Sequence, residues 1–138
     1  MSATLISSIA RTAEPQSMLR RFLALDAVVT GANGLVYAAF SRPVGRLLGV
    51  GEGLVLELGI LLTLYGAAVG LLAGRREPPA LAVRAVVEIN LAWAVLSVAA
   101  LLVWFDPTTA GAVWIPAQAL AVAGFAVLQQ LALRSRSQ

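Results

Sequence analysis

The chain has 138 residues, of which 59% are hydrophobic and only 12% are charged. Soluble domains carry about 25% charged residues, and a chain this short buries too little surface to hide so much apolar area from water. The composition therefore predicts an integral membrane protein. Cysteine and histidine are both absent, which excludes disulfide scaffolds, thiol redox relays and haem or zinc sites built on those side chains. We expect no metal and no cofactor.

All ten basic residues are arginine, and the formal net charge is +3. The absence of lysine beside heavy use of Ala, Gly, Leu and Val is typical of a high-GC bacterial genome, so we expect the cytoplasmic (inner) membrane of a bacterium. The arginines flank apolar segments rather than gathering in one patch. This pattern predicts membrane lipids as the surroundings and no nucleic-acid partner.

Residues 1–18 are small and polar, carry no signal-peptide pattern and are predicted to form a flexible cytoplasmic tail. Residues 19–134 form the predicted transmembrane domain, and 135–138 form a C-terminal tail. Each apolar stretch reaches the roughly 20 residues that a helix needs to cross about 30 Å of hydrocarbon, and Pro116 falls in the first turn of the last stretch. The four helices are predicted at about 20–40, 54–73, 81–105 and 112–133.

Residues 42–53, between the first and second predicted helices, are rich in glycine and are predicted to be an outer loop. The loop could lie on the membrane interface with Leu47, Leu48 and Val50 pointing inward. It contains no Gly-Lys-Ser/Thr sequence, so it is not a phosphate-binding loop. Short connections between the spans favour an up-down-up-down bundle.

Arginine is distributed unevenly between the two sides of the predicted membrane. Eight arginines flank the N-terminal, central-loop and C-terminal segments, whereas only Arg42 and Arg46 lie in the first and third loops. Because positively charged loops are retained in the cytoplasm, both termini are predicted to be cytoplasmic. The predicted fold is therefore all-α, a membrane-spanning up-down-up-down four-helix bundle.

Gly66, Gly70 and Gly74 recur at four-residue spacing on the second predicted helix. Lipid provides no hydrophobic drive between helices, so small residues that allow close backbone approach mark contact faces. This face could pack against the first helix, which carries small residues at Gly31 and Gly34. Alternatively, it could form a homodimer with a second copy of the chain.

Asp26, Thr30, Asn33 and Tyr37 form one polar stripe on the first predicted helix, because they follow at four-, three- and four-residue spacing. A carboxylate inside the membrane costs about 2.5–3.5 kcal/mol on insertion scales, and a function is the default hypothesis for such a residue. Asp26 is the first candidate for a catalytic proton donor, since desolvation favours the protonated form of a carboxylic acid.

Glu57 and Glu88 are the other candidate catalytic carboxylates. Glu57 lies about one turn inside the start of its helix, where headgroup water could reach it. Glu88 follows Arg84 by four residues, so the two could instead form an ion pair at the interface.

Polar and aromatic side chains on all four predicted helices could line a pocket inside the bundle. Asn and Gln would orient a polar group of a ligand, and aromatic rings would enclose its hydrocarbon. Alternatively, the polar side chains form only interhelical hydrogen bonds, worth roughly 0.6–2 kcal/mol each. The candidate ligand-binding residues are Thr30, Asn33, Tyr37, Tyr65, Asn90, Trp93, Gln118 and Phe125.

Two stretches, residues 25–35 and 87–97, together with 118–122 and 128–129, resemble a broad group of small uncharacterised bacterial four-helix integral membrane proteins. The resemblance spans about residues 20–133. It implies the same four-helix architecture and no particular activity.

Three functions are compatible with these features. The first is a polar-lined pocket for a small lipophilic molecule, in which a desolvated carboxylic acid could catalyse isomerisation, cyclisation or epoxide opening. The second is an accessory subunit of a larger membrane complex, whose polar stripes serve only to pack helices. The third is a small proton-coupled exporter that uses its membrane carboxylates.

Overall fold

The computed structural model describes residues 2–103 and 106–137, and within these ranges it contains helices and no strand. Four of the helices contain a segment long and apolar enough to cross a membrane: Gln16–Ala39, Glu52–Ala73, Ala80–Val103 and Thr109–Arg136. The predicted all-α architecture with four long apolar helices is confirmed. In chain order the helices are α1 (Ser2–Ala39), α2 (Ser41–Leu48), α3 (Glu52–Ala73), α4 (Ala80–Val103) and α5 (Thr109–Ser137).

The outer helix boundaries differ from the prediction. Helix α1 begins at Ser2 rather than near residue 20, so the backbone of the predicted N-terminal tail is helical. Helix α5 continues to Ser137, through most of the predicted C-terminal tail. Hydropathy marks the part of a helix that lipid surrounds, whereas the helix itself continues wherever residues of adequate helix propensity follow. Residues 104 and 105, predicted to end the third span, lie outside the described residues.

Thr108 explains why α5 begins three residues earlier than predicted. Its side-chain oxygen accepts a hydrogen bond from the backbone N–H of Gly111 at 3.1 Å, which is the N-cap arrangement that satisfies a free donor of the first helical turn. Pro116 consequently lies inside α5 rather than in its first turn.

Residues 42–48, predicted to be loop, instead belong to the short helix α2, which begins at Ser41. Pro43 occupies its first turn, where a missing N–H costs little. Gly49 ends the helix in the left-handed conformation (φ 75°), and its N–H donates to the Gly45 carbonyl, as is common for a glycine after a helix. Leu48 is buried against the bundle, whereas Leu47 is 62% exposed. The Thr108 hydroxyl donates to the Leu47 carbonyl and joins α2 to α5.

Glycines bring α1 and α3 into close backbone contact. A Cβ atom on Gly66 would lie 2.8 Å from the Cα of Gly31, and one on Gly34 would lie 2.6 Å from the backbone nitrogen of Thr63. Residue numbers rise along α1 as they fall along α3, so this pair is antiparallel. The predicted small-residue face is therefore occupied by α1 at Gly66, whereas a Cβ on Gly70 would meet only the methyl group of Ala27 on α1, at 3.6 Å.

The remaining helices pack unequally. Helix α4 packs mainly on α5, which also packs on α1, whereas α3 and α4 approach each other much less closely although they are consecutive. The apolar core of the described residues lies beside the α3–α4 connection, among residues such as Leu23, Val69 and Val83. The residues that line the two cavities described below lie mainly between this core and the other end of the bundle.

Polar contacts join three segments at the end that carries most of the arginines, which we call the arginine end. Arg20 donates from Nε to the Ala73 carbonyl at 3.1 Å, satisfying an acceptor at the end of α3. Arg136 donates to the carbonyl of Pro78 and to Oε1 of Gln16. The start of the first span, the α3–α4 connection and the end of α5 therefore lie together.

Candidate functional site

Asp26 is completely buried between α1, α4 and α5. Its Oδ1 accepts a hydrogen bond from the Thr30 hydroxyl at 2.9 Å. Its Oδ2 accepts one from Asn90 Nδ2 and one from Gln129 Nε2, each at 2.8 Å. Three donors on three helices therefore converge on one carboxyl group.

Asn90 extends this arrangement into a network, which we call the Asp26 cluster: Asp26, Thr30, Tyr65, Asn90 and Gln129. Its Nδ2 also donates to Gln129 Oε1 at 3.2 Å, and its Oδ1 accepts from the Tyr65 hydroxyl at 3.0 Å. In the part of the chain that the structure describes, no buried side-chain nitrogen or oxygen lacks a hydrogen-bond partner. The cluster is thus internally satisfied, which is the condition under which polar groups are stable away from water.

Two features explain how the cluster forms: the spacing of residues along α1 and the level at which Asn90 and Gln129 lie along their own helices. Asp26 and Thr30 are four residues apart and so meet on one face of α1. Asn90 is 2% exposed and Gln129 is fully buried, each at a level of its helix opposite Asp26. Every long helix contributes one member or more, so the cluster ties all four together.

A cavity of about 650 Å³, which we call the large cavity, lies next to the Asp26 cluster and is lined by α1, α3, α4 and α5. Its walls are mostly aliphatic and aromatic. Asp26 itself does not line it, although Thr30 and Asn90, which bind Asp26, do. Seven of the predicted ligand-binding residues share this cavity: Thr30, Asn33, Tyr65, Asn90, Trp93, Gln118 and Phe125.

A second cavity of about 370 Å³, the small cavity, is lined by parts of α1, α3, α4 and α5 and by the end of α2. Tyr37, the remaining predicted ligand-binding residue, lines it. Trp93 and Gln118 line both cavities, and Trp93 Nε1 donates to Gln118 Oε1 at 2.9 Å. This hydrogen-bonded pair therefore stands between the two cavities.

The other two candidate carboxylates lie elsewhere. Glu57 and Glu88 are both exposed, and neither lines the large or the small cavity. Arg84 is also exposed, and the ion pair considered for Arg84 and Glu88 is not present among the salt bridges of the described residues. The one salt bridge within residues 16–103 and 106–136 joins Arg42 to Glu52 at 3.1 Å, between exposed side chains. Of the three predicted acids, Asp26 alone is held inside the bundle.

Two residues outside the predicted site belong to these arrangements. Gln129 is a direct partner of Asp26, and the polar face that it shares with Gln118 on the last helix could have indicated it. Trp114 lines the large cavity and donates to the Tyr37 hydroxyl at 2.7 Å. A tryptophan near the end of a predicted span is also typical of the membrane interface, so its position in the sequence does not by itself indicate a cavity.

No protein-family model, curated protein or solved structure matches the chain.

Proposed function

We propose that the protein binds a small lipophilic molecule in the large cavity, within a bacterial cytoplasmic membrane. The observation that carries this proposal is the cavity itself: about 650 Å³, lined by all four long helices, with apolar walls and a few polar side chains. Binding sites for small molecules are typically concave, mostly apolar and about 300–1,000 Å³ in volume. A ligand in the bilayer could reach such a site without crossing water.

In our proposal Asp26 does not touch the ligand; it holds Thr30 and Asn90, which line the large cavity, in place. Its carboxyl group is fully buried, accepts three hydrogen bonds and lines neither cavity. A proton donor must come within hydrogen-bond reach of the group it protonates. Thr30 and Asn90 stand between Asp26 and the large cavity, so this geometry favours binding over acid–base catalysis.

We propose an up-down-up-down topology with both termini in the cytoplasm. The antiparallel contacts of α1 with α3 support the alternation of helix directions. The pairing of Trp93 with Gln118 and of Asn90 with Gln129 supports the same relation for α4 and α5. The excess of arginine at the arginine end supports the orientation.

The proposed partners are the ligand and the surrounding membrane lipids. Contact of Gly66 with Gly31 favours packing within one chain over a homodimer through the same face. A homodimer through this face would leave α1 without its closest neighbour.

The experiment compares the wild type with an Ala121→Phe variant, which fills the large cavity. Leu120→Phe is the matched control, because Leu120 adjoins it in the chain, is 75% exposed and lines neither cavity. Each protein is purified in mild detergent, extracted with organic solvent, and the extract is examined by mass spectrometry.

We expect one lipophilic compound to accompany the wild type and Leu120→Phe at similar levels, and to be depleted from Ala121→Phe. Equal recovery of every extracted compound from all three proteins would contradict binding in the large cavity.

A further inference from the structure

Asn33 differs from the other polar side chains that line the large cavity. Within the described part of the chain, each of the others makes a hydrogen bond, whereas the Asn33 side chain makes none. Its amide offers two donors and one acceptor. In an apolar setting such a group gains free energy when a partner reaches it. Asn33 is therefore the free recognition group of the cavity.

Charge narrows the class of group that Asn33 would bind. No acidic or basic side chain of the described residues lines the large cavity, so an ionised ligand group would lack a counter-charge there. Burying an unpaired charge costs far more than burying a hydroxyl or an amide. Asp26 is not placed to supply the counter-charge, because it is fully buried behind its hydrogen-bond partners and does not line the large cavity.

The small cavity extends the site beyond Trp93 and Gln118. Its polar lining residues include Ser97, whose hydroxyl is already bound to the Trp93 carbonyl at 2.7 Å. The rest of the lining is mainly aliphatic, with residues such as Leu54 and Leu96. If the hydrogen bond between Trp93 and Gln118 opened, the large cavity, which contains Asn33, would join the small cavity, whose lining is suited to hydrocarbon.

We propose that the ligand is an uncharged, elongated amphiphile with one hydrogen-bonding group, such as a long-chain alcohol. Asn33 binds that group in the large cavity, and the hydrocarbon passes between Trp93 and Gln118 into the small cavity. This inference rests on the proposed function and adds the chemical class of the ligand to it.

The first experiment uses four probes that share one hydrocarbon chain: hexadecane, hexadecanol, hexadecylamine and palmitate. Binding to the purified wild type is measured from the ligand-dependent shift in thermal unfolding. Asn33→Leu removes the amide at nearly constant volume. Thr63→Val is the matched control, because Thr63 binds the Gly59 carbonyl and lines neither cavity.

We expect hexadecanol to bind the wild type about 2- to 10-fold more tightly than hexadecane, the range for one neutral hydrogen bond. The advantage should disappear in Asn33→Leu, persist in Thr63→Val, and be absent for the two charged probes. Preference for the amine or for palmitate, or an unchanged alcohol preference in Asn33→Leu, would overturn the inference.

The same measurements distinguish failure of the proposed function, binding in the large cavity, from failure of recognition by Asn33. If hexadecane and hexadecanol bind equally, and both bind the wild type better than Ala121→Phe, the proposed function stands and the recognition by Asn33 falls. If no probe distinguishes the wild type from Ala121→Phe, the proposed function falls and this inference falls with it.

A second experiment tests the path into the small cavity with decanol and hexadecanol. Ala100→Phe fills the small cavity, since Ala100 lines it and does not line the large one. We expect this variant to weaken hexadecanol binding and to leave decanol binding unchanged. Equal weakening of both alcohols, or of neither, would overturn the extended pose.

Discussion

The Asp26 cluster and the large cavity adjoin each other and share residues, yet they differ in whether the hydrogen bonds of their polar side chains are satisfied. In the cluster, Asp26, Asn90 and Gln129 satisfy one another away from lipid and water. In the cavity, Asn33 faces open space and has no partner among the described residues. Asp26 and Asn33 lie only two turns apart on α1.

This difference shows that a polar stripe on a membrane helix is not one functional unit. A group whose hydrogen bonds close within the chain contributes to packing and specifies how the helices meet. A group whose bonds remain open can recognise a ligand. The distinction depends on partners from other helices, so the four predictions below substitute residues inside the two regions, at the α1–α3 contact beside them and at an exposed pair outside them.

The largest expected difference in stability is between the same substitution, Asn to Leu, made in the cluster and in the cavity. Asn90→Leu removes three hydrogen bonds and exposes the buried acid to an apolar neighbour, so we expect the free energy of unfolding to fall by about 3 kcal/mol. Asn33→Leu removes no bond and should leave it unchanged or slightly higher. Thermal or chemical unfolding in detergent measures both, and similar losses would contradict the difference between the regions.

The second effect concerns the contact that holds α1 against α3 beside both regions. Gly66→Ala places a methyl group against the Gly31 backbone, and we expect a loss of about 2 kcal/mol, typical of overpacking. Gly124→Ala is the control, because a Cβ there meets nothing within 4 Å, and it should stabilise by up to about 1 kcal/mol. If Gly66→Ala instead dissociated a dimer without destabilising the monomer, as measured by light scattering, the homodimer alternative would replace this packing.

Asp26→Asn should have a smaller effect on stability. The amide nitrogen can take the Oδ1 position and donate to the Thr30 hydroxyl, which can reverse its role, while the amide oxygen accepts from Asn90 and Gln129. We expect a loss below about 1 kcal/mol, retained binding of the lipophilic ligand, and no change for Glu57→Gln or Glu88→Gln. Loss of binding or of a turnover reaction in a folded Asp26→Asn protein would assign the acid a chemical role.

The smallest effect is expected at the exposed pair outside both regions. Arg42 and Glu52 join α2 to the start of α3 through side chains that are 74% and 54% exposed. Glu52→Gln should change the unfolding free energy by less than about 0.5 kcal/mol, because exposed ion pairs contribute little. A loss comparable to that of Gly66→Ala would mean that α2 is more important for stability than its contacts indicate.

Much of the fold followed from composition and periodicity. Runs of about 20 apolar residues indicate spans because lipid solvates any sufficiently apolar helix, and all four recur as candidate spans. Helix ends were predicted less well, since Thr108 and Gly49 act through capping contacts that hydropathy does not register. The helix α2 was missed for a different reason: its eight residues are too few to form an apolar run that hydropathy could identify.

The candidate site, too, was predicted only in part from the sequence. Helical spacing placed Asp26 and Thr30 on one face, and seven of the eight proposed ligand-binding residues do line one cavity. The sequence did not separate Asp26 from Glu57 and Glu88, because burial of a carboxyl group depends on which helices surround it.

By itself, the sequence determined that four apolar helices exist and that each carries polar side chains, because both properties belong to single segments of chain. Only the tertiary structure decided that Asp26 is enclosed by Asn90 and Gln129 while Asn33 is left open. Hydrogen-bond satisfaction is a property of groups that meet from different helices, and the small residues between α1 and α3 determine how closely two of those helices approach.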